Sequence, residues 1–303
     1  MRPHYYSINE YLQDTYGSKL YKLALNGGMS CPNRDGLIDT RGCIFCSAGG
    51  SGDFASSSML SISEQIEKAK ELIASKYSGS RYIAYFQAYT NTYADVSYLR
   101  SIFTETINRD DIAILSIATR PDCLAPEIIE LLSELNSIKP VWIELGLQTI
   151  HEQTAAYIRR GYPLPVFEHA VSDLHKHGIK VIAHMIIGLP GESRTMILET
   201  ADYIAHMNLF GVKLQLLHVL KGTDLAADYT KEDFSVMEMN EYIECIGEIL
   251  ELLPSDITIH RLTGDGPKKL LIAPQWSANK KLVMNTMNRY LRDNMIIQGR
   301  NYK

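Results

Sequence analysis

Short runs that are almost continuously apolar, and rich in β-branched and aromatic residues, recur along the chain: Lys22 to Asn26 around Leu23 and Leu25, Tyr82 to Phe86, Ile112 to Ile117, Val141 to Leu147, Ile179 to Ile187 and Val212 to Leu220. Runs of this kind are what parallel strands covered on both faces require. Between them the apolar spacing changes to the helical period. Ser61-x-x-Glu64 forms a capping box ahead of Ile62, Ile66, Ala69 and Ile73, which share one helical face. Pro126 to Leu135 opens on a first-turn proline, and Val166 to His177 stops at Gly178.

Strand and helix therefore alternate at about thirty residues per unit. Six units predict an α/β fold, a partial (β/α)6 TIM-like barrel over residues 21–225. An open dinucleotide-binding sheet is the alternative, but no G-x-G-x-x-G follows the first run, and polar residues stand at the C-terminal end of every run. In a barrel those ends make one mouth. Residues 1–20, with Tyr5, Tyr6, Tyr11 and Tyr16 before Gly17, predict a short N-terminal cap. Residues 226–303 predict a small α/β extension: a helix from Met237 to Leu252, a strand at Ile257 to Arg261, a Gly264-Asp-Gly-Pro267 turn and a helix from Ala278 to Asp293 with Leu282, Val283, Met287 and Leu291 packing inward.

At 303 residues and 46% hydrophobic content the chain can bury a large core. No apolar run approaches the roughly 20 residues of a membrane helix, and the N-terminus lacks a signal-peptide core. With five cysteines, three of them clustered, a disulfide framework is not expected, so the reading is a cytoplasmic protein with no membrane partner. The net charge of −5 hides an asymmetry, because residues 260–303 hold nine Lys/Arg against two Asp, leaving −12 elsewhere. Lys280, Lys281, Arg289 and Arg292 recur on the last helix. They read as nucleic-acid contacts or as a solvated helix face.

The clustered cysteines fall in one loop directly after the first strand: Cys31-Pro-Asn-Arg-Asp-Gly, then Gly42-Cys43-Ile-Phe45-Cys46. A structural zinc site or a ferredoxin-type cluster uses four protein ligands, so three thiolates leave a position open for chemistry. A zinc knuckle completed by a distant His or Asp is the alternative. Cys123 and Cys245, in apolar surroundings, read as core thiols.

This loop resembles that of radical S-adenosylmethionine (SAM) enzymes, in which three Cys bind a [4Fe-4S] cluster and SAM occupies the fourth iron. Most of that superfamily uses C-x3-C-x2-C; the C-x11-C-x2-C here resembles the Elongator catalytic-subunit branch. Arg120-Pro121-Asp122, Glu144-Leu-Gly-Leu-Gln148 and His184-Met-Ile-Ile-Gly-Leu-Pro-Gly191 are similar to the corresponding stretches of that branch. With Cys-Pro-Asn-Arg-Asp-Gly, Phe-Gln-Ala-Tyr-Thr-Asn-Thr-Tyr and the short basic C-terminus, the whole pattern is similar to the bacterial YtqA/YhcC-type group.

The resemblance implies Cys31, Cys43 and Cys46 as cluster ligands and SAM as co-substrate. Phe45 is implied beside the adenine, together with Ile187-Gly188, and Glu144 and Gln148 at the ribose and methionyl amine. Arg160 is implied near the SAM carboxylate, with Arg159 competing, and His218 is a further cofactor candidate at a strand end. The family's Gly-Gly-Glu is missing after the second strand, where Gln87 or Asn91 stands for the amine and Tyr89 or Tyr93 for the substrate; His184 joins Tyr89 as a catalytic candidate. The implied activity is tRNA wobble-uridine modification, from carboxymethylaminomethyl toward aminomethyl, with reduced flavodoxin or ferredoxin as electron donor. A small metabolite or peptide substrate, or a non-catalytic metal module, are the rival readings.

Overall fold

The computed structural model describes residues 4–50, 52–53, 55–264 and 266–303. Ser51 and Phe54 of the Gly/Ser-rich loop, Asp265 of the predicted turn and the first three residues of the cap lie outside the described residues. Helix α1 (Ile8–Tyr16) leads into β1 (Tyr21–Leu25), and then come α2 (Ile62–Ile73), β2 (Tyr82–Phe86), α3 (Val96–Ile107), β3 (Ile112–Thr119), α4 (Pro126–Asn136) and β4 (Val141–Gln148). Helices α5 (Glu152–Tyr157) and α6 (Leu164–Lys176) precede β5 (Lys180–Ile187), α7 (Arg194–Ala205), β6 (Gly211–Leu216) and β7 (Val219–Leu220). The chain closes with α8 (Asp224–Thr230), α9 (Met239–Leu252), β8 (Thr258–Arg261), β9 (Leu271–Ala273) and α10 (Lys280–Asp293).

Strands β1 to β6 pair in chain order, all parallel, and β8 adds to β6 as a seventh strand. The result is a curled parallel half-barrel, as the alternation predicts, with one strand more than the six runs indicate. The extra strand comes from the residues expected to form the extension. The run from Val212 to Leu220 is also broken, with Val219–Leu220 turning away to pair antiparallel with β9.

Because successive strand residues face opposite sides, each strand feeds two cores. Outward residues such as Leu23, Phe86, Ile117, Ile143, Leu145, Val181 and Leu214 pack under the helices in the largest apolar cluster. Inward residues at the lower end, Ile83, Ile114, Trp142 and Ile182, pack with Leu12 of α1 and Leu20. Tyr11 of α1 meets Trp142 and Phe210 edge-on at 6.0 and 4.8 Å. The N-terminal segment is thus a plug under the barrel. It is anchored where Ser7 bridges Ile259 and the Ile259 N–H donates to Tyr6 O at 2.8 Å.

The expected caps form: Ser61 and Glu64 exchange bonds at the start of α2, and Ser7 and Glu10 do the same for α1. On α10 the buried positions are Val283, Met287 and Leu291, against α9. Leu282, expected to pack, is 49% exposed, because the buried positions of this helix recur every four residues and Leu282 falls one residue off them. No helix among the described residues is long and apolar enough to cross a membrane.

Candidate functional site

One cleft of about 810 Å³ opens at the C-terminal ends of the strands. Its wall holds Cys31, Cys43 and Cys46, its floor holds Lys22, Tyr85, Glu144, His184 and Lys213, and the far side holds Gly264, Gly266, Lys268, Ser277 and Lys280.

The cysteine loop is irregular backbone fixed by side chains. Arg34 Nη2 donates to Cys46 O (2.9 Å) and Ser47 O (2.6 Å), and the guanidinium lies over the Tyr89 ring at 5.8 Å. Asn33 Nδ2 donates to Arg159 O at 2.7 Å and reaches Cys43 Sγ at 3.5 Å. The Cys46 N–H donates to Cys43 O at 3.0 Å, forming the turn that puts both thiols on one side. Tyr89 Oη donates to Ala48 O at 2.7 Å, and a Cβ on Gly50 would sit 2.2 Å from the Tyr89 ring, so only glycine permits this closure.

The thiols are close enough to influence one another. Burial, then Cys46, pushes Cys43 up to about 12, with Asn33 opposing. Arg34 rises above its ordinary value although burial opposes it, because Cys46, Tyr89 and Cys31 outweigh that penalty. None of the three forms a disulfide. Binding iron takes the proton from each thiol, and the Arg34 guanidinium stands beside the sulfurs where that charge would form. Among the described residues no three His, Cys, Asp or Glu side chains gather as ligands of a single ion. Three cysteines line this one cleft, and a cube offers one iron to each of three thiolates while leaving the fourth open, so the residues present fit a three-cysteine cluster.

The floor is built from strands. Glu144, fully buried, accepts from Lys22 Nζ (2.8 Å) and Ser116 Oγ (2.9 Å) at Oε1, and from His184 Nε2 (2.8 Å) and Lys213 Nζ at Oε2. Lys213 also donates to Tyr85 Oη at 3.0 Å. Burial alone would raise Glu144, but Lys213, Lys22 and His184 hold it well below the usual carboxylate range. Burial, with Lys213 adding, pushes His184 down to about 4 against the pull of Glu144. The imidazole is therefore neutral near pH 7 and donates its Nε2–H to the carboxylate.

Among the residues implied by sequence, Phe45, Gln87, Tyr89, Glu144, Gln148, Arg160, His184, His218 and Lys280 line this cleft. Gln148 ends β4 at φ +66, and its buried Oε1 has no partner. Arg160 is 2% exposed, with its guanidinium held by Tyr162 O, Leu147 O, Thr149 O and Glu152. Most of its donors are already engaged. Arg159 pairs with Asp224. His218 Nε2 lies 3.1 Å from Ser277 Oγ, packed so tightly that a Cβ on Gly264 would come within 2.5 Å of its ring.

The other candidates fall elsewhere. Asn91 is fully buried outside the cleft, its amide donating to Phe86 O and Ala118 O. The Ile187 side chain packs in the outer core, while Ile186, one residue earlier, faces the cleft. Gly188, at φ +85, has Met237 rather than the cleft beside it. Tyr93 lines a separate cleft of about 770 Å³ with Leu37, Ile38 and Tyr98. Lys281, Arg289 and Arg292 lie on the exposed face of α10, away from the cleft lining. Cys123 and Cys245 are buried, which pushes both thiols up to about 12.

Lys22 and Lys213 were not apparent as site residues in the sequence. The signal was there, since each is a lysine in mid-strand with apolar neighbours, on the same inward alternation as Glu144 and His184.

Residues 40–204 match the Radical SAM superfamily, and residues 210–293 match the Radical_SAM C-terminal domain. YtqA of Bacillus subtilis (strain 168) is 43% identical over 98% of this chain and 92% of its own length. YhcC of Escherichia coli (strain K12) is 36% identical over 92% and 89%. A Methanocaldococcus jannaschii tRNA uridine(34) acetyltransferase is 27% identical over 52% of this chain and 29% of its own. Among solved structures, the archaeal Methanocaldococcus infernus Elp3 with an N-terminal deletion superposes with a TM-score of 0.71 at 17% identity, over 92% of this chain and 64% of that one. This likeness bears on the fold. The family implies SAM and a [4Fe-4S] cluster, and a cleft that brings together three cysteines on a loop after the first strand of a parallel half-barrel accords with it: the chain belongs to the radical SAM superfamily and is a radical SAM enzyme.

Proposed function

We propose that this enzyme modifies the wobble uridine of tRNA, in a conversion of carboxymethylaminomethyl-uridine toward aminomethyl-uridine. The observation that carries the proposal is the composition of the cleft: cluster cysteines on one wall, cationic side chains on the floor, and Lys268 and Lys280 of the C-terminal segment on the opposite side. Such a cleft suits a polyanion entering from the basic side with one nucleoside projecting inward. The relative named as a tRNA uridine(34) acetyltransferase supports the same substrate class.

In this reading Cys31, Cys43 and Cys46 hold the cluster. Bound there, the cluster would supply one-electron reductive chemistry to SAM, and with it hydrogen-atom abstraction from a substrate. The chain's own residues position and shield. Phe45 offers an apolar face, Gln148 presents an unpartnered amide oxygen to a donor on SAM, and Tyr89 and Arg34 close the loop over the cysteines. The α1 plug excludes water from below. Lys280, Lys281, Arg289 and Arg292 meet phosphates, and a reduced flavodoxin or ferredoxin delivers electrons.

The test is nucleoside mass spectrometry of tRNA bearing carboxymethylaminomethyl-uridine, after incubation with reconstituted enzyme, SAM and dithionite. Conversion of the wobble nucleoside to aminomethyl-uridine is expected. An unchanged nucleoside despite SAM turnover would rule the substrate out.

A further inference from the structure

The floor of the cleft gathers cationic side chains around one carboxylate. Two ammonium groups, from β1 and β6, share the single carboxylate of Glu144, and the imidazole between them is neutral near pH 7. Glu144 is saturated: four donors use both oxygens, and it is sealed from solvent. Lys22 is different. Its side chain is 27% exposed and lines the cleft, and among the described residues its Nζ makes one hydrogen bond, the one to Glu144, besides lying 4.7 Å from the centre of the Tyr85 ring. An ammonium carries three donors, so Lys22 keeps donors for a ligand.

Lys213 cannot fill that role, being 6% exposed and spent on Glu144 and Tyr85. Burial draws its ammonium well below its ordinary value, with Glu144 opposing, and it is committed to one oxygen of that carboxylate. The opening is one lysine head with donors to spare, which matches a carboxylate better than a doubly charged phosphate. Two carboxylates could reach it, that of the substrate side chain and that of SAM.

We infer that Lys22, held by Glu144 and Lys213, is a binding residue for the carboxylate of the substrate's side chain. This rests on the wobble-uridine reading above and deepens it. Carboxymethylaminomethyl-uridine ends in a carboxylate and aminomethyl-uridine does not, so one ion pair separates substrate from product and anchors the carbon next to it. A charge-assisted hydrogen bond of this kind discriminates by about tenfold to a hundredfold.

The experiment uses the anaerobically reconstituted enzyme and two anticodon stem-loops, one with carboxymethylaminomethyl-uridine and one with aminomethyl-uridine at the wobble position. Kd is measured for wild type, Lys22→Met and Lys22→Arg, and SAM affinity is measured for the same three. The inference predicts wild-type preference for the carboxylate-bearing stem-loop by about tenfold or more, loss of that preference in Lys22→Met, recovery in Lys22→Arg, and SAM affinity unchanged throughout. Preference retained in Lys22→Met overturns the inference and leaves the wobble reading standing. Preference retained with SAM affinity lost assigns the site to SAM and also overturns it.

Equal wild-type binding of the two stem-loops overturns it as well. Binding of neither defeats the tRNA reading, and a second arm then decides the site alone: acylation of Lys22 is followed by peptide mass spectrometry with N-methylglycine or methylamine present. Protection by N-methylglycine only supports a carboxylate site. Equal labelling overturns it. Melting curves of both variants show whether the fold survives the substitution.

Discussion

The rim and the floor of the same cleft are built by opposite means. At the rim, Cys31, Cys43 and Cys46 stand on irregular backbone whose shape depends on a few side chains reaching back to carbonyls, chiefly Arg34 and Asn33. At the floor, Lys22, Glu144, His184 and Lys213 stand on four hydrogen-bonded strands and satisfy one another. The loop can adapt to a ligand, whereas the floor is preorganised. Rim substitutions should therefore cost the cofactor and spare the fold, and floor substitutions should cost the fold and spare the cofactor.

The largest effect is expected at the rim. Cys46→Ala should reduce iron content and drop 5′-deoxyadenosine formation to background while the urea midpoint stays near wild type. A large fall in stability would erase the contrast. Next comes Glu144→Gln, which strands two lysines beside a neutral amide. Breaking a buried pair of this kind costs about 3–5 kcal/mol, read by urea unfolding. Adding Lys213→Met should restore much of that loss, because the surplus cation leaves with it.

The third effect is a pH dependence centred on the floor. His184 binds its proton at about 4 in the folded protein and at 6.5 when unfolded, so between those values the unfolded state holds more protons. Stability is full above about pH 6.5 and falls on acidification toward pH 4, with at most about 3 kcal/mol of the fall from His184. His184→Gln should make this window shallower in a series of thermal melts, the remainder belonging to His260, whose burial also holds it well below its ordinary value. The continued fall in wild type below pH 4.5 is shared by Glu144 and by Asp111, which lose their stabilising charge as pH drops through their depressed values. Smaller again is Arg34→Ala, which removes two hydrogen bonds to loop carbonyls. A loss of about 1–3 kcal/mol should be seen as faster iron release to a chelator, not as a lower melting temperature. Smallest is Lys281→Ala with Arg289→Ala, which should lower the salt slope of tRNA binding by about one for each phosphate left without its cation.

The same contrast decides what the sequence could reveal. The cysteine loop was legible because its ligands lie within sixteen residues and their spacing is the signal. The half-barrel was legible because six apolar runs alternate with helical periods, and the capping box at Ser61 marks a real helix start. The strand at Ile257 to Arg261 was legible as a strand but not as the seventh of this sheet, because it forms over only the four residues Thr258–Arg261 and follows two helices, outside the repeating unit. The two lysines of the floor escaped for a different reason. Lys22 and Lys213 are separated by most of the chain and meet only when β1 and β6 curl toward Glu144. Ile187 was read for Ile186 because a one-residue shift along a strand reverses the face. Asn91 looked like a ligand from its place after a strand, and the structure spends it on tying the β2 and β3 ends together.

The central claim, a radical SAM enzyme whose reaction is drawn forward by tRNA, meets its most direct test in one assay: 5′-deoxyadenosine formed from SAM and dithionite by the reconstituted protein, with and without tRNA bearing carboxymethylaminomethyl-uridine. The account predicts cleavage in wild type, a clear rise with that tRNA, and none in Cys46→Ala. An intact cluster that never cleaves SAM under reducing conditions would contradict it.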